Sequence, residues 1–141
     1  MPDLESILAL RVALRTEEQP GSSDATEHLR ELTSRQLQAN DQVFWLAQSG
    51  GEVVGLVRCA IQAPPAPALH AATLTTAYVR PDFRRQHVMR TLVDAAQHWC
   101  VAQGVPTLRL RNGHHNAVAN ATWEALGFAV VQVVRQRTLE R

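Results

Sequence analysis

Between Leu74 and Met89 the chain reads LTTAYVRPDFRRQHVM. An apolar, β-branched run ends at Val79, a Pro-containing turn follows, and two arginines precede the start of an amphipathic helix. A strand that delivers its end to a helix N-terminus is a place to hold an anion. The first N–H groups of a helix lack internal partners, and the macrodipole puts partial positive charge there. Arg84 and Arg85 sit awkwardly at that end, since a cation there costs about 0.3–1 kcal/mol. Asp82 offsets part of that cost and a bound anion would offset the rest. A solvated basic turn is the plainer alternative. A second polar constellation is His114 and His115 beside Asn116. An imidazole with a pKa near 6.5 suits proton removal at neutral pH; a merely polar turn is the alternative there. No third ligand stands at a spacing that would make the pair a metal site.

The elements that must position these residues follow from periodicity. Residues 3–18 admit two readings. Leu8, Leu10, Val12 and Leu14 alternate as in a strand, whereas Leu4, Ile7, Leu8, Val12 and Arg15 form a helical stripe behind Asp3 as N-cap; the composition favours the helix. A loop at residues 20–24 leads to a second helix through Gln38, capped by Ser23 or Asp24. Val43–Gln48 and Glu52–Gln62 flank Ser49-Gly50-Gly51 as a hairpin. APPAPA at residues 63–68 connects to a strand over Leu69–Val79. Gln86–Gln103 is an amphipathic helix stopped by Gly104 and Pro106. Thr107–Arg111 is a short strand parallel to its predecessor, because a helical crossover joins them. A helix over Ala117–Leu126 with Asn116 as N-cap and a last strand over Phe128–Leu139 complete the chain.

Composition narrows the class. The 141 residues suffice for one domain with its own core. No apolar run approaches the length that spans a bilayer, and the acidic N-terminus does not read as an export signal. Cys59 and Cys100 are expected as free thiols of a cytoplasmic protein. A net charge of +1 argues against general nucleic-acid binding. The charge is unevenly spread: residues 1–52 hold nine acids and four arginines, and residues 53–141 hold ten arginines and four acids. The second half therefore suits an anionic ligand. There is no lysine, so the abundance of Arg at any one place carries less weight.

The order helix, helix, hairpin, strand, basic turn, helix, strand, helix, strand resembles the GNAT superfamily of acyl-CoA-dependent N-acyltransferases. Two segments carry the resemblance. VRPDFRRQHVMRTLVDAA, from Val79, is similar to the family pattern Val-x-Pro-x-(Tyr/Phe)-Arg-x-x-Gly-x-(Gly/Ala)-x-x-Leu. NAVANATWEALGF, from Asn116, matches a family pattern at Asn116, Ala119, Gly127 and Phe128, with Trp123 where the family has Tyr. The resemblance implies an α+β fold: a central twisted, mostly antiparallel sheet with a parallel pair at the cofactor cleft, flanked by helices. Aligning the chain start with the family's first helix leaves no room for a leading strand, so the sheet is expected to lack its usual first edge strand or to receive it from a partner chain. It implies that acetyl-CoA is the cosubstrate. Backbone near Tyr78 and Val79 would pair with its pantetheine arm. N–H groups of Arg85, Gln86, His87, Val88 and Met89 would hold its pyrophosphate, Arg84 or Arg85 would add charge, and Asn116 would contact the pantetheine or orient the site.

Three departures bear on this. His87 and Met89 replace small residues of the phosphate turn, where Gly permits close approach. Trp123 replaces the Tyr that protonates the leaving thiolate, and an indole is no practical acid. Thr75 and Thr76 stand where family members often carry Glu, leaving His114, His115 and, less well placed, His70 as candidate bases. The expected function is transfer of acetyl from acetyl-CoA to a primary amine of a small molecule or peptide, with a homodimer as the plausible assembly and neither nucleic acid nor membrane as partner. The rival is a degenerate acyl-CoA-binding or protein-interaction module of the same fold. The acids of residues 1–52 point weakly to a cationic acceptor.

Overall fold

Two helices lead the chain in the computed structural model, which describes residues 2–19, 26–62, 70–113 and 115–140. Helix α1 spans Pro2–Glu18, and Asp3 lies within its first turn with Glu5, where both charges suit the helix dipole. The helical reading of residues 3–18 therefore holds, with Ile7, Leu8 and Leu10 buried. Helix α2 spans Thr26–Gln38 and buries Leu29 and Thr33, four residues apart on one face. The caps expected at Ser23 or Asp24 lie outside the described residues, as does the Pro-rich connection at 63–68.

Strands β1 (Gln42–Ser49) and β2 (Glu52–Gln62) form the expected hairpin. Ser49 pairs with Glu52, leaving a two-residue loop. Gly50 and Gly51 have φ of +58° and +83°, the left-handed pair that matches strand twist. Strand β3 (Ala71–Val79) pairs antiparallel with β2. After the crossover helix α3 (Val88–Ala102), strand β4 (Leu108–Leu110) pairs parallel with β3. The order β1-β2-β3-β4 gives a mixed sheet in which only the last pair is parallel. Among the described residues no strand precedes α1 and none pairs with the outer edge of β1.

The helices divide the two faces of the sheet. Phe44, Leu46, Leu56 and Tyr78 meet Ile7 and Leu10 of α1. The alternate residues meet α3: Trp45 stacks edge-on against Trp99 at 5.6 Å, and Cys59 Sγ lies 3.8 Å from Cys100 Sγ. Both thiols are free, as expected, and burial pushes each pKa up, that of Cys59 to about 12. Helix α3 ends on Gly104 (φ +74°), with Gly104 N–H on Val101 O and Val105 N–H on Cys100 O. That pair of bonds satisfies the last carbonyls of the helix.

The chain divides into two compact units, Met1–Arg111 and Asn112–Arg141. The second contains helix α4 (Ala117–Ala125), and Asn116 is its N-cap, its side-chain oxygen accepting from Ala119 N–H at 3.0 Å. Its C-terminus repeats the motif of α3: Gly127 has φ +92°, and Phe128 N–H bonds Trp123 O at 3.0 Å. The Trp123 and Phe128 rings meet edge-on at 5.8 Å, the apolar contact that accompanies such an ending. The last strand expected over Phe128–Leu139 is not formed. Residues 128–140 carry no regular element, and Val130, Val131, Val133, Val134 and Leu139 are exposed. β-branched composition favours extended backbone, but a strand also needs a ladder partner. Among the described residues none pairs with this segment.

Candidate functional site

Strand β3 outruns β4. The parallel ladder covers Ala72–Leu74 against Leu108–Leu110 and stops, so Thr75 to Val79 have no strand on that side among the described residues. A bulge between Arg58 and Cys59 of β2 falls at the same point: Arg58 pairs with Thr76 and Cys59 with Leu74, leaving Thr75 unpaired. Thr75, the extra residue, is exposed while Thr76 stays buried. The hydrogen bond from Arg80 N–H to Val54 O fixes which groups face the gap. Antiparallel partners alternate, so Tyr78 and Thr76 spend their backbone on β2, and Ala77 and Val79 present theirs to the open edge. Of the two residues expected to lend backbone here, Val79 faces the gap, with its carbonyl oxygen taken by Arg84 Nε. Tyr78 instead packs its ring under α1.

Past β3 the chain turns through a short 3-10 helix, Pro81–Phe83, into a left-handed arc. Arg85 and His87 have φ of +65° and +62°. His87 thus keeps the backbone conformation that glycine adopts most readily, at a cost of about 1–2 kcal/mol for a residue with a Cβ. It stands as N-cap of α3 without a side-chain cap bond, and no acid occupies the first turn. The helix therefore begins at Val88, two residues later than periodicity suggests, and Gln86 and His87 belong to the arc. Six successive backbone N–H groups, Arg85 to Arg90, donate to no acceptor among the described residues. Such an uncapped run is the anion-binding geometry of a helix N-terminus. Met89 is half-buried and His87 exposed.

The side chains around the arc divide into tethered and free. Arg84 is tethered: Nε donates to Val79 O at 2.9 Å, and a terminal nitrogen donates to both Glu17 oxygens at 2.9 and 3.0 Å. Its guanidinium carbon also lies 5.5 Å from the centre of the Tyr78 ring. Burial, followed by the Glu17 carboxylate, raises the Tyr78 pKa, while Arg84 and Arg80 pull it down. Gln86 Nε2 donates to Asp82 O at 3.3 Å, and Arg80 lies 3.7 Å from Glu52. Arg85 and Arg90 meet no carboxylate among the described residues and are the free cations beside the N–H run. Sequence reasoning missed Glu17, Gly55 and Arg90. Nothing local marks Glu17, since its partner is 67 residues away. Gly55 permits the close packing of β3 and α3: a Cβ there would meet Tyr78 O and Val79 Cγ2 at 3.3 Å and Leu92 Cδ1 at 3.4 Å.

The same unit holds a second basic cluster under α1 and α2. Arg11 donates to Thr33 Oγ1 at 3.0 Å and to Gln36 Oε1 at 2.6 Å. Burial, then the charges of Arg58 and Arg15, lowers its pKa to about 10. Arg58 donates to Gln42 Oε1, and its buried Nε has no partner among the described residues. Burial lowers its pKa too, against the opposing pull of Cys59 and Asp41.

The remaining expected residues belong to other elements. Asn116 and Trp123 are in the second unit, one capping α4 and the other closing its end. His114 is outside the described residues; His115 is in the second unit and His70 precedes β3, and both are engaged by other groups. No group of His, Cys, Asp and Glu able to hold a metal occurs among the described residues, and no described helix is long and apolar enough to cross a membrane.

Comparison with known proteins places this arrangement. AAC(6′)-Iy in complex with the bisubstrate analogue CoA-S-monomethyl-acetylneamine has a TM-score of 0.78 at 24% identity, over 98% of this chain and 92% of that one. A probable acetyltransferase has a TM-score of 0.80 at 23% identity, over 100% and 93% of the two chains. The aminoglycoside 6′-N-acetyltransferase AAC(6′)-IG from Acinetobacter haemolyticus gives 0.79 at 20% identity, over 99% and 94%. These likenesses establish a common fold. No curated protein matches the chain. The acetyltransferase (GNAT) family profile matches residues 8–128, most of the chain. The open edge of β3, its bulge and the uncapped arc before α3 thus belong to a member of the acetyltransferase (GNAT) family, whose acyl donor is acetyl-CoA.

Proposed function

We propose that residues 1–141 act as a single acyltransferase domain that moves the acetyl group of acetyl-CoA to a primary amine of a small molecule or peptide. The observation that carries this reading is the sequence of two hydrogen-bonding surfaces along one stretch of chain. Six N–H groups at Arg85–Arg90, without acceptors among the described residues, follow the open edge of β3, where Ala77 and the Val79 N–H lack a strand partner and Val79 O is taken by Arg84. The first suits the pyrophosphate and the second the amides of the pantetheine arm. Arg85 and Arg90 supply charge, while Arg84 holds the exit of β3 in place through Val79 O and Glu17. The open stretch from Val79 to Thr75 covers about 13 Å of strand and brings the thioester end of the arm toward the bulge.

In the reaction the amine nitrogen attacks the thioester carbonyl, the N–C bond forms, the C–S bond breaks, the nitrogen releases a proton to water, and the thiolate takes one up. Trp123 cannot give that proton, and its ring closes the end of α4 against Phe128. Water is the proposed donor. The reading includes a cytoplasmic setting, which suits two unlinked thiols 3.8 Å apart. It also includes a homodimer formed through the outer edge of β1. Trp123 favours one rival, an acyl-CoA-binding module without turnover.

Calorimetric titration with acetyl-CoA, followed by thiol release against a panel of amines, separates the readings. Binding with thiol release supports the transferase. Binding without release on any amine supports the module. No binding at millimolar acetyl-CoA overturns both.

A further inference from the structure

Val130, Val131, Val133 and Val134 stand exposed within one stretch of five residues, and Val133, the least exposed of them, is 63% open. A single valine on a surface is ordinary, but a contiguous apolar stretch marks a contact surface. In the extended backbone that these residues favour, Val131, Val133, Arg135 and Arg137 fall on one side. That side is apolar in its first half and cationic in its second. Neither arginine ion-pairs with an acid among the described residues.

The outer edge of β1 has the complementary order. Ile61 N–H bonds Asp41 O at 2.8 Å, and antiparallel partners alternate. Val43 and Trp45 therefore turn their backbone to β2, whereas Gln42, Phe44 and Leu46 turn theirs to the open edge. The same three residues line a cleft of about 340 Å³ beside that edge, with Ile7 and Leu37 as further apolar wall. The cleft is acidic at the start of β1. Asp3 is on its wall, and the exposed Asp41 directly precedes Gln42. Asp41 accepts from Gln42 Nε2 at 3.4 Å and acts on Arg58 through space, and neither acid forms an ion pair among the described residues.

We propose that residues 130–137 of one copy add to β1 of a second copy as an antiparallel strand, with Val131 opposite Leu46, Val133 opposite Phe44 and Arg135 opposite Gln42. The inference rests on the homodimer reading above and names the segment that fills the edge. Main-chain bonds to the open groups of Gln42, Phe44 and Leu46 give affinity, and the cleft takes the alternate side chains. Charge fixes the direction. Antiparallel pairing brings Arg135 and Arg137 to Asp3 and Asp41, whereas parallel pairing carries them past Leu46, away from both acids. The outer edge of β4 is a poorer seat, because it is three residues long and carries Arg109, with Arg111 following. Every copy bears both surfaces, so a second copy needs no further component, and reciprocal exchange closes a two-fold dimer. Each sheet then gains the first edge strand that its own chain start does not supply.

Sedimentation of the full chain should give a dimer. Val133→Asp puts a charge against the apolar cleft and should raise the dimer Kd about tenfold or more, with circular dichroism unchanged because the position is exposed. The register itself is tested by mixing two variants, Gln42→Cys and Arg135→Cys, with oxidised glutathione. Opposed residues of such a pair lie about 5.5 Å apart between Cα atoms, within reach of a disulfide. A covalent dimer should form in the mixture and in neither variant alone. No crosslink in the mixture, or a dimer unmoved by Val133→Asp, overturns the strand exchange and leaves the homodimer reading standing. A disulfide confined to single chains that carry both cysteines shows the tail closing on its own β1 and also overturns it. A wild type that stays monomeric at about 100 μM overturns both readings. If Val133→Asp does not fold, the crosslink decides.

Discussion

The two faces of the sheet are built on opposite principles. Beneath α3 the contacts are apolar: Leu92, Val93, Ala96 and Cys100 are buried on the helix, and Trp45 and Cys59 answer them from the sheet. Beneath α1 and α2 the apolar cluster of Ile7, Leu10, Leu56 and Tyr78 shares its face with Arg11, Arg58, Gln36 and Thr33. Apolar packing supplies stability in proportion to area, whereas a buried ion surrounded by neutral amides supplies little and costs desolvation. The α3 face therefore anchors the helix whose N-terminus forms the arc. The opposite face carries desolvated guanidiniums held by neutral groups and so draws less stability from its packing. One strand, β3, serves both, with its backbone edge in the gap and its side chains on the two faces.

The sharpest way to break this contrast is a pair of truncations. Leu92→Ala should lower unfolding free energy by about 2–4 kcal/mol in urea titration, since it empties a well-packed site. Arg58→Met should be neutral or stabilising by up to about 3 kcal/mol, because it removes an unpartnered buried donor and keeps the volume. Equal losses in the two variants would show that the arginine cluster is structural, and the division of labour between the faces would fail.

Next in size is the tether between the faces and the arc. Arg84→Met removes the bonds to Val79 O and Glu17 and the contact with Tyr78. Acetyl-CoA affinity should fall about tenfold by calorimetry, with a change of no more than about 1 kcal/mol in stability, because the ion pair is largely exposed. Arg85→Met should lose similar affinity with no change in stability, since its charge is free rather than tethered.

The α3 face also predicts a pH dependence. The Cys59 thiol ionises near 12 in the folded chain, against about 9 for an unburied thiol. Between those values the unfolded chain binds fewer protons than the folded one, so stability falls as pH rises. The urea midpoint should be flat below about pH 9 and decline above it, and Cys59→Ala should flatten that decline. At pH 8 iodoacetamide should label Cys59 no faster than the protein opens. Rapid labelling would show that the α3 face is not closed.

Legibility in the sequence divides along similar lines. Elements set by period and punctuation were readable: the amphipathic face of α3 with Gly104 behind it, the Gly50-Gly51 hairpin, Asn116 as a cap. The parallel pairing of β4 followed from the crossover rule alone. What could not be read depends on contacts remote in sequence. The tie of Glu17 to Arg84, the meeting of Arg11 and Arg58, and the approach of Cys59 to Cys100 join residues from different elements, and no local pattern marks them. The segment after Phe128 misled for the converse reason. Its valines announce an extended backbone, but a ladder is a property of two segments, and composition reports only one.

The smallest effect bears on the arc itself. His87 and Arg85 both hold left-handed backbone with a Cβ, and each stores about 1–2 kcal/mol of strain. Glycine relieves that strain but loses more chain entropy on folding, so each substitution should stabilise by a net of about 0.5–1 kcal/mol. Their effects on ligand should diverge. His87→Gly clears the Cβ from an N-cap whose side chain makes no bond, so acetyl-CoA should bind as tightly as before or more tightly. Arg85→Gly removes a free cation beside six unpartnered N–H groups, so affinity should fall even as the melting temperature rises. Parallel calorimetry and thermal melts on the two variants separate strain from charge. If both lose affinity alike, the His87 side chain touches the ligand, and the arc binds through side chains as well as through its backbone.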